Sequence, residues 1–167
     1  MSAPARESVW DYPRPPRLET AARRVRVLVD GVPLADAPAG SGLALRVLET
    51  SHPPTYYVAA AALDARLLRP AAGSSWCEWK GRASYLDVLD ADGAVVAAGA
   101  AWTYPDPVPA YRALAGAVAV PAGCAPGRVV CLLDEEEVRP QPGGFYGGWV
   151  SDELDGPFKG GPGTAGW

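Results

Sequence analysis

Residues Val25-Arg26-Val27-Leu28-Val29 set valines at every second position, Asp30-Gly31 follows, and an apolar run resumes at Val32-Pro33-Leu34-Ala35. A period of two sends alternate side chains to opposite faces of a strand. Asp-Gly supplies the positive-φ residues that a two-residue hairpin turn demands, so this segment predicts a β-hairpin. The same design returns at Tyr85-Leu86-Asp87-Val88-Leu89, turns at Asp92-Gly93 and continues as Ala94-Val95-Val96-Ala97. A fainter copy runs from Val129-Val130-Cys131-Leu132-Leu133 through Asp134 to Glu136 and on to Val138. Further strands are predicted near 43–49, 56–58, 76–80 and 100–104. The expected fold class is therefore mostly β, built of antiparallel hairpins.

Two stretches break the pattern. Alanine-rich 59–68, closed by Pro70, predicts a short helix, as does 107–118, where Asp106 is placed to cap and Pro107 suits the first helical position. Residues 1–20 carry Trp10 and Tyr12 ahead of Pro13-Arg14-Pro15-Pro16 and read as an extended, proline-rich arm without hydrogen-bonded pairing of its own. The β-rich core is expected over 21–139. The tail, 140–167, is rich in Gly and Pro but holds Phe145, Tyr146, Trp149, Phe158 and Trp167. Flexible linkers lack such rings, each of which contributes a few kcal/mol when buried. The tail is thus expected to pack on its own core or on a partner, which makes homo-oligomerisation through it an expectation.

Composition narrows the function classes. The 167 residues suit one domain, and because much of the 49% apolar content is alanine, the core must lean on Val, Leu, Trp and Tyr. Net charge is −4 and no Lys/Arg stripe is long enough to follow a phosphate backbone, so nucleic acid is not an expected partner. The one basic run, Arg23-Arg24-Val25-Arg26, alternates with valine as the exposed face of a strand would. Neither a signal peptide nor an 18-residue apolar run is present, so a cytoplasmic location without membrane attachment is expected. Cys77, Cys124 and Cys131 are odd in number and lack a C-x-x-C pair, which predicts reduced thiols, no metal site and no cofactor.

Candidate chemistry centres on Lys80. Thirteen of the 15 cations are arginine, and only Lys80 and Lys159 are lysine. A lysine ammonium is a compact point charge suited to proton transfer or close pairing with a carboxylate. In Trp76-Cys77-Glu78-Trp79-Lys80-Gly81 a strand would set Glu78 and Lys80 on one face and Cys77 and Trp79 on the other. Leu48-Glu49-Thr50-Ser51-His52-Pro53-Pro54-Thr55-Tyr56-Tyr57 places a carboxylate, the sole histidine and two tyrosines around a rigid turn. Trp102 and Tyr104 share a strand face and would wall a pocket of low dielectric. No G-x-S-x-G, H-E-x-x-H or post-strand G-x-G-x-x-G occurs, which sets aside the enzymes built on them.

Leu48-Glu49 with Pro53-Pro54 and Tyr56-Tyr57, Cys77 with Lys80-Gly81, and Trp102 with Tyr104-Pro105-Asp106-Pro107 together resemble the bacterial family called domain of unknown function 427. The run from Gln141 to Trp149 and on to Gly163 resembles its longer actinobacterial branch. The resemblance implies two small antiparallel sheets in a β-tent-like arrangement, without the paired zinc-binding cysteines. It implies no established activity. The nucleotidyltransferase label attached to the family finds no Gly-Ser with spaced aspartates here. Glu49, Tyr57, Lys80 and Trp102 match the family's recurring motifs and are the candidate catalytic residues, while His52, Glu78, Trp79 and Tyr104 are candidate binding residues. Glu78 and Trp79 depart from the family pattern, leaving Glu49 as the expected carboxylate partner of Lys80. The leading expectation is a small-molecule pocket handling a proton or an anionic group. The alternatives are a non-catalytic ligand-binding module and a structural or oligomerising domain with an internal polar brace.

Overall fold

A computed structural model describes residues 5–167. Among them the strands are β1 (Glu7–Ser8), β2 (Arg17–Thr20), β3 (Val25–Val29), β4 (Val32–Ala37), β5 (Ala44–Leu48), β6 (Thr55–Val58), β7 (Leu68–Cys77) and β8 (Gly81–Leu89), continuing with β9 (Val95–Thr103), β10 (Val118–Ala119), β11 (Val129–Leu133), β12 (Glu136–Glu137), β13 (Arg139–Pro140), β14 (Trp149–Val150) and β15 (Leu154–Asp155). They form a seven-stranded sheet in the order β2-β5-β6-β10-β9-β8-β7, a four-stranded sheet in the order β12-β11-β3-β4, and the two-stranded pairs β1-β15 and β13-β14. Every pairing is antiparallel except β1 with β15.

All three predicted hairpins form. Asp30 and Gly31 take positive φ of 49° and 80° between β3 and β4, Gly93 takes 83° between β8 and β9, and Asp134 takes 53° between β11 and β12. The period of two then builds the core. Val25, Val27 and Val29 are at most 1% exposed, and with Val129, Cys131 and Leu133 from β11 they pack against Tyr56, Val58, Val88, Ala101 and Val118 of the large sheet. Burying each valine or leucine contributes about 1.5–3 kcal/mol. The opposite face of the large sheet carries a second cluster, in which Val47, Tyr57, Ala83, Tyr104 and Ala119 lie under Tyr111 and Leu114. Consecutive residues Tyr56 and Tyr57 therefore serve different faces, the first in the core between sheets and the second in the cluster that builds the candidate site.

Both predicted helices are corrected. Only 3-10 turns form, at Ala60–Ala62 and Ala65–Leu67 in the first stretch and at Pro109–Leu114 in the second. Pro70 does not stop a helix but lies inside β7, the edge strand of the large sheet, where a missing N–H is tolerated. Asp106 caps nothing, because the 3-10 turn starts after Val108 without a side-chain cap. The expected strand at 76–80 ends at Cys77, and Glu78, Trp79 and Lys80 form the turn into β8. Glu78 and Lys80 consequently do not share a strand face.

The amino-terminal arm is likewise paired. Its residues Arg17–Thr20 are β2, aligned antiparallel with β5, and Glu7–Ser8 pair with β15. Charge assists this docking, since Arg46 on β5 lies 2.5 Å from Glu7 and 2.7 Å from Glu19. The tail crosses the same region. Trp149, 1% exposed, donates its indole N–H to the Val120 carbonyl at 2.8 Å and lies 4.9 Å from the Tyr56 ring. Among the described residues no helix is long and apolar enough to cross a membrane.

Candidate functional site

The second face of the large sheet sets three aromatic residues side by side. Tyr57 on β6 is 2% exposed, and its hydroxyl accepts a hydrogen bond from the Trp102 indole N–H at 3.1 Å. The Tyr57 and Tyr104 rings are 6.2 Å apart. Burial pushes both phenols well above the ordinary tyrosine value, and the Cys77 thiol adds to the rise in each, while Trp102 and Tyr104 oppose it at Tyr57. Both hydroxyls are protonated at neutral pH and available as donors.

Lys80 enters from the β7–β8 turn. Val108 N–H bonds the Lys80 carbonyl at 2.9 Å, and Gly81, at φ +110°, makes the turn into β8 with the backbone of 106–108 against it. The ammonium lies 5.9 Å from the Tyr104 ring centroid, and the residue is 8% exposed. Among the described residues no carboxylate lies within ion-pairing distance of Lys80. Glu49 instead sits 3.6 Å from the Arg14 guanidinium and 3.6 Å from Nε2 of His52. The expected Lys80–Glu49 pair is thus replaced by Arg14–Glu49–His52.

Histidine 52 is defined by the tail. Gln141 Oε1 accepts from the Gly148 N–H at 3.1 Å, so its Nε2 carries two protons to donate, one to the Lys159 carbonyl at 2.8 Å and one to His52 Nδ1 at 3.1 Å. Nδ1 is therefore an acceptor, and the proton of the neutral imidazole resides on Nε2, facing Glu49. The charge state agrees: burial first, then the positive charges of Lys159, Arg14 and Lys80, bring His52 down to about 4. Contact with Glu49 is therefore between a neutral ring and a carboxylate.

Tyr146 closes the arrangement, edge-on to His52 at 4.8 Å and beneath the Lys159 ammonium at 5.7 Å. With Trp102, Tyr85, Cys124, Gln141 and Phe145 it lines a surface cleft of about 580 Å³. Gly147 and Gly148 let the tail backbone approach this closely, because a Cβ on the first would overlap the Trp102 indole and on the second would overlap Pro53 and Gln141.

Of the residues singled out from sequence, Tyr57, Trp102 and Tyr104 are brought together, with Lys80 beside Tyr104. Glu49 and His52 form an adjoining polar group. Glu78 is exposed on its turn, and Trp79 packs partly buried against the second cluster. Sequence reasoning does not single out Arg14 or Gln141, and Tyr146 enters it only as one of the tail rings expected to pack on the core or on a partner. Among the described residues no group of three or more His, Cys, Asp or Glu is placed to hold a metal ion.

A mostly β protein of antiparallel sheets, with Trp102 and His52 in contact with its tail, is the class that fold and geometry define. Residues 17–130 match the model of the family described as Domain of unknown function (DUF427), and the chain belongs to that family. No curated protein matches the chain. The matched residues include Glu49, His52, Tyr57, Lys80 and Trp102, whereas Gln141, Tyr146 and Lys159 lie beyond them.

Proposed function

We propose that this protein binds a small anionic molecule beside His52 and Lys80, with Lys80 as the counter-charge. One observation carries this reading: Arg14, Lys80 and Lys159 are the positive charges that act on the buried His52 imidazole, and among the described residues only Arg14 has a carboxylate side chain, Glu49, within ion-pairing distance, Lys159 donating instead to the Trp167 main-chain oxygen at 3.0 Å. In a chain of net charge −4 this is a local reversal of sign. Lys80, a residue 8% exposed, has no carboxylate within ion-pairing distance among the described residues, and the anionic group of a ligand would supply that partner. The Nε2–H of His52 and the Tyr104 hydroxyl supply neutral hydrogen bonds, and Tyr57 positions Trp102 as an apolar wall. The absence of a Lys80–Glu49 ion pair argues against the internal brace as the reason for keeping this lysine.

The test is thermal stability of wild type and Lys80→Met against a panel of small carboxylates, phosphate esters and neutral analogues. An anion at about 100 times its dissociation constant stabilises wild type by about 2.7 kcal/mol. Such an anion should fail to stabilise the variant, and chemical change of the bound molecule, followed by NMR, separates an enzyme from a binding module. If no anion stabilises wild type and Lys80→Met alone unfolds the protein, the lysine is structural.

A further inference from the structure

Eleven of the 13 arginines have a carboxylate within ion-pairing distance. The two without one among the described residues are Arg82 and Arg112, and both line the same cleft, of about 660 Å³. They reach it from different elements: Arg82 from β8, and Arg112 from the 3-10 turn Pro109–Leu114. Directly across from Arg82 in the strand register is Trp76, which is 70% exposed and lines the cleft too. Cross-strand partners point to one face, so this indole and this guanidinium stand together. Ser84 shares that face, and Asp106 with its flanking prolines forms the opposite wall.

From these residues we infer a second binding site, distinct from the one beside His52, for a planar aromatic anion. An exposed indole offers a flat apolar surface on which a ring stacks. A guanidinium is a planar fork that holds a carboxylate or phosphate by two parallel hydrogen bonds, and two such forks facing one cleft repel each other until an anion lies between them. Asp106 adds an acceptor at the rim for a ring N–H or hydroxyl and disfavours ligands carrying a second anionic group there. The volume suits a ligand of about two rings, within the range of ordinary small-molecule clefts of roughly 300–1,000 Å³. Neither Lys80, Glu49, His52 nor Trp102 lines this cleft, so the two sites stand or fall separately.

Isothermal titration with four probes decides it: 1-naphthoate, 1-naphthyl phosphate, neutral 1-naphthol and inorganic phosphate. One or both aromatic anions should bind saturably, the stronger of the two naming the acid group, with naphthol and inorganic phosphate at least about tenfold weaker. Trp76→Ala, Arg82→Gln and Arg112→Gln change exposed side chains and should each weaken binding at least about tenfold. Inorganic phosphate binding as tightly as the aromatic anions, no saturable binding by either of them, or variants indistinguishable from wild type would overturn the assignment.

Discussion

The side-chain amide of Gln141 donates to Nδ1 of His52 at 3.1 Å, and the same amide is held at its other end by the Gly148 N–H. That single bond decides which imidazole nitrogen bears the proton. It also ties the loop after β5 to the tail, so what happens to either is reported by the other.

The sole histidine makes this relationship measurable. NMR titration should show the Nε2–H tautomer and a pKa near 4. Lys80→Met removes one of the positive charges that depress it and should raise the value. An unchanged His52 titration in Lys80→Met would mean the two groups are not electrostatically coupled.

Stability should follow the same group. His52 titrates lower in the folded chain than its ordinary 6.5, so the unfolded chain binds the proton more readily between those values. Its contribution is complete above about pH 6.5 and is lost as pH falls towards 4, roughly 3 kcal/mol in all at 1.36 kcal/mol per pH unit. Urea unfolding of wild type and His52→Asn at pH 7 and pH 4 isolates it: the difference between the two proteins should shrink on acidification.

Gly147→Ala should cost about 1–3 kcal/mol, since the added Cβ would overlap the Trp102 indole and force the tail or the ring to move. Hydrogen exchange should rise first in the tail and at β14. An alanine at Gly144, which has open space around it but a φ of +72°, should leave Trp102 undisturbed and cost only its backbone strain.

Trp149→Ala should be the more damaging change, about 3–5 kcal/mol, because it empties a fully buried site and leaves the Val120 carbonyl without its donor. Equilibrium denaturation is the measurement. A cost below about 1 kcal/mol would mean the tail contributes little to the folded state.

Cys131, 2% exposed, has its thiol pushed up by burial and should resist thiol reagents until the protein unfolds, while Cys77 and Cys124, half-buried, react sooner. Labelling followed by mass spectrometry separates the three.

The hairpins are legible in the sequence because Asp30-Gly31 and Asp92-Gly93 encode turns locally and the valines of β3 encode a face. The two helices mislead because alanine favours a helix only where nothing else competes. Leu63 bridges Ala35 and Leu68 pairs with Val88, so sheet contacts take the middle and the end of the first stretch. Strand β7 is hidden by Ala71-Ala72-Gly73, where the register shifts between Pro70 and Ser74. Tyr57, Trp102 and Tyr104 are foreseeable from alternation along their strands, but their polar neighbours are not. Gln141 reaches His52 across 89 residues, a separation that no local pattern reports.

That separation also sets an order of events. A chain made from its amino end carries His52 through the synthesis of the 89 residues up to and including Gln141, with its ring free to take up a proton at its ordinary pKa. Only when the tail closes over the loop does the imidazole acquire a fixed tautomer and surrender its charge, so the site comes into being late, and proteolytic clipping between Pro140 and Gly148 would return it to an unassembled state.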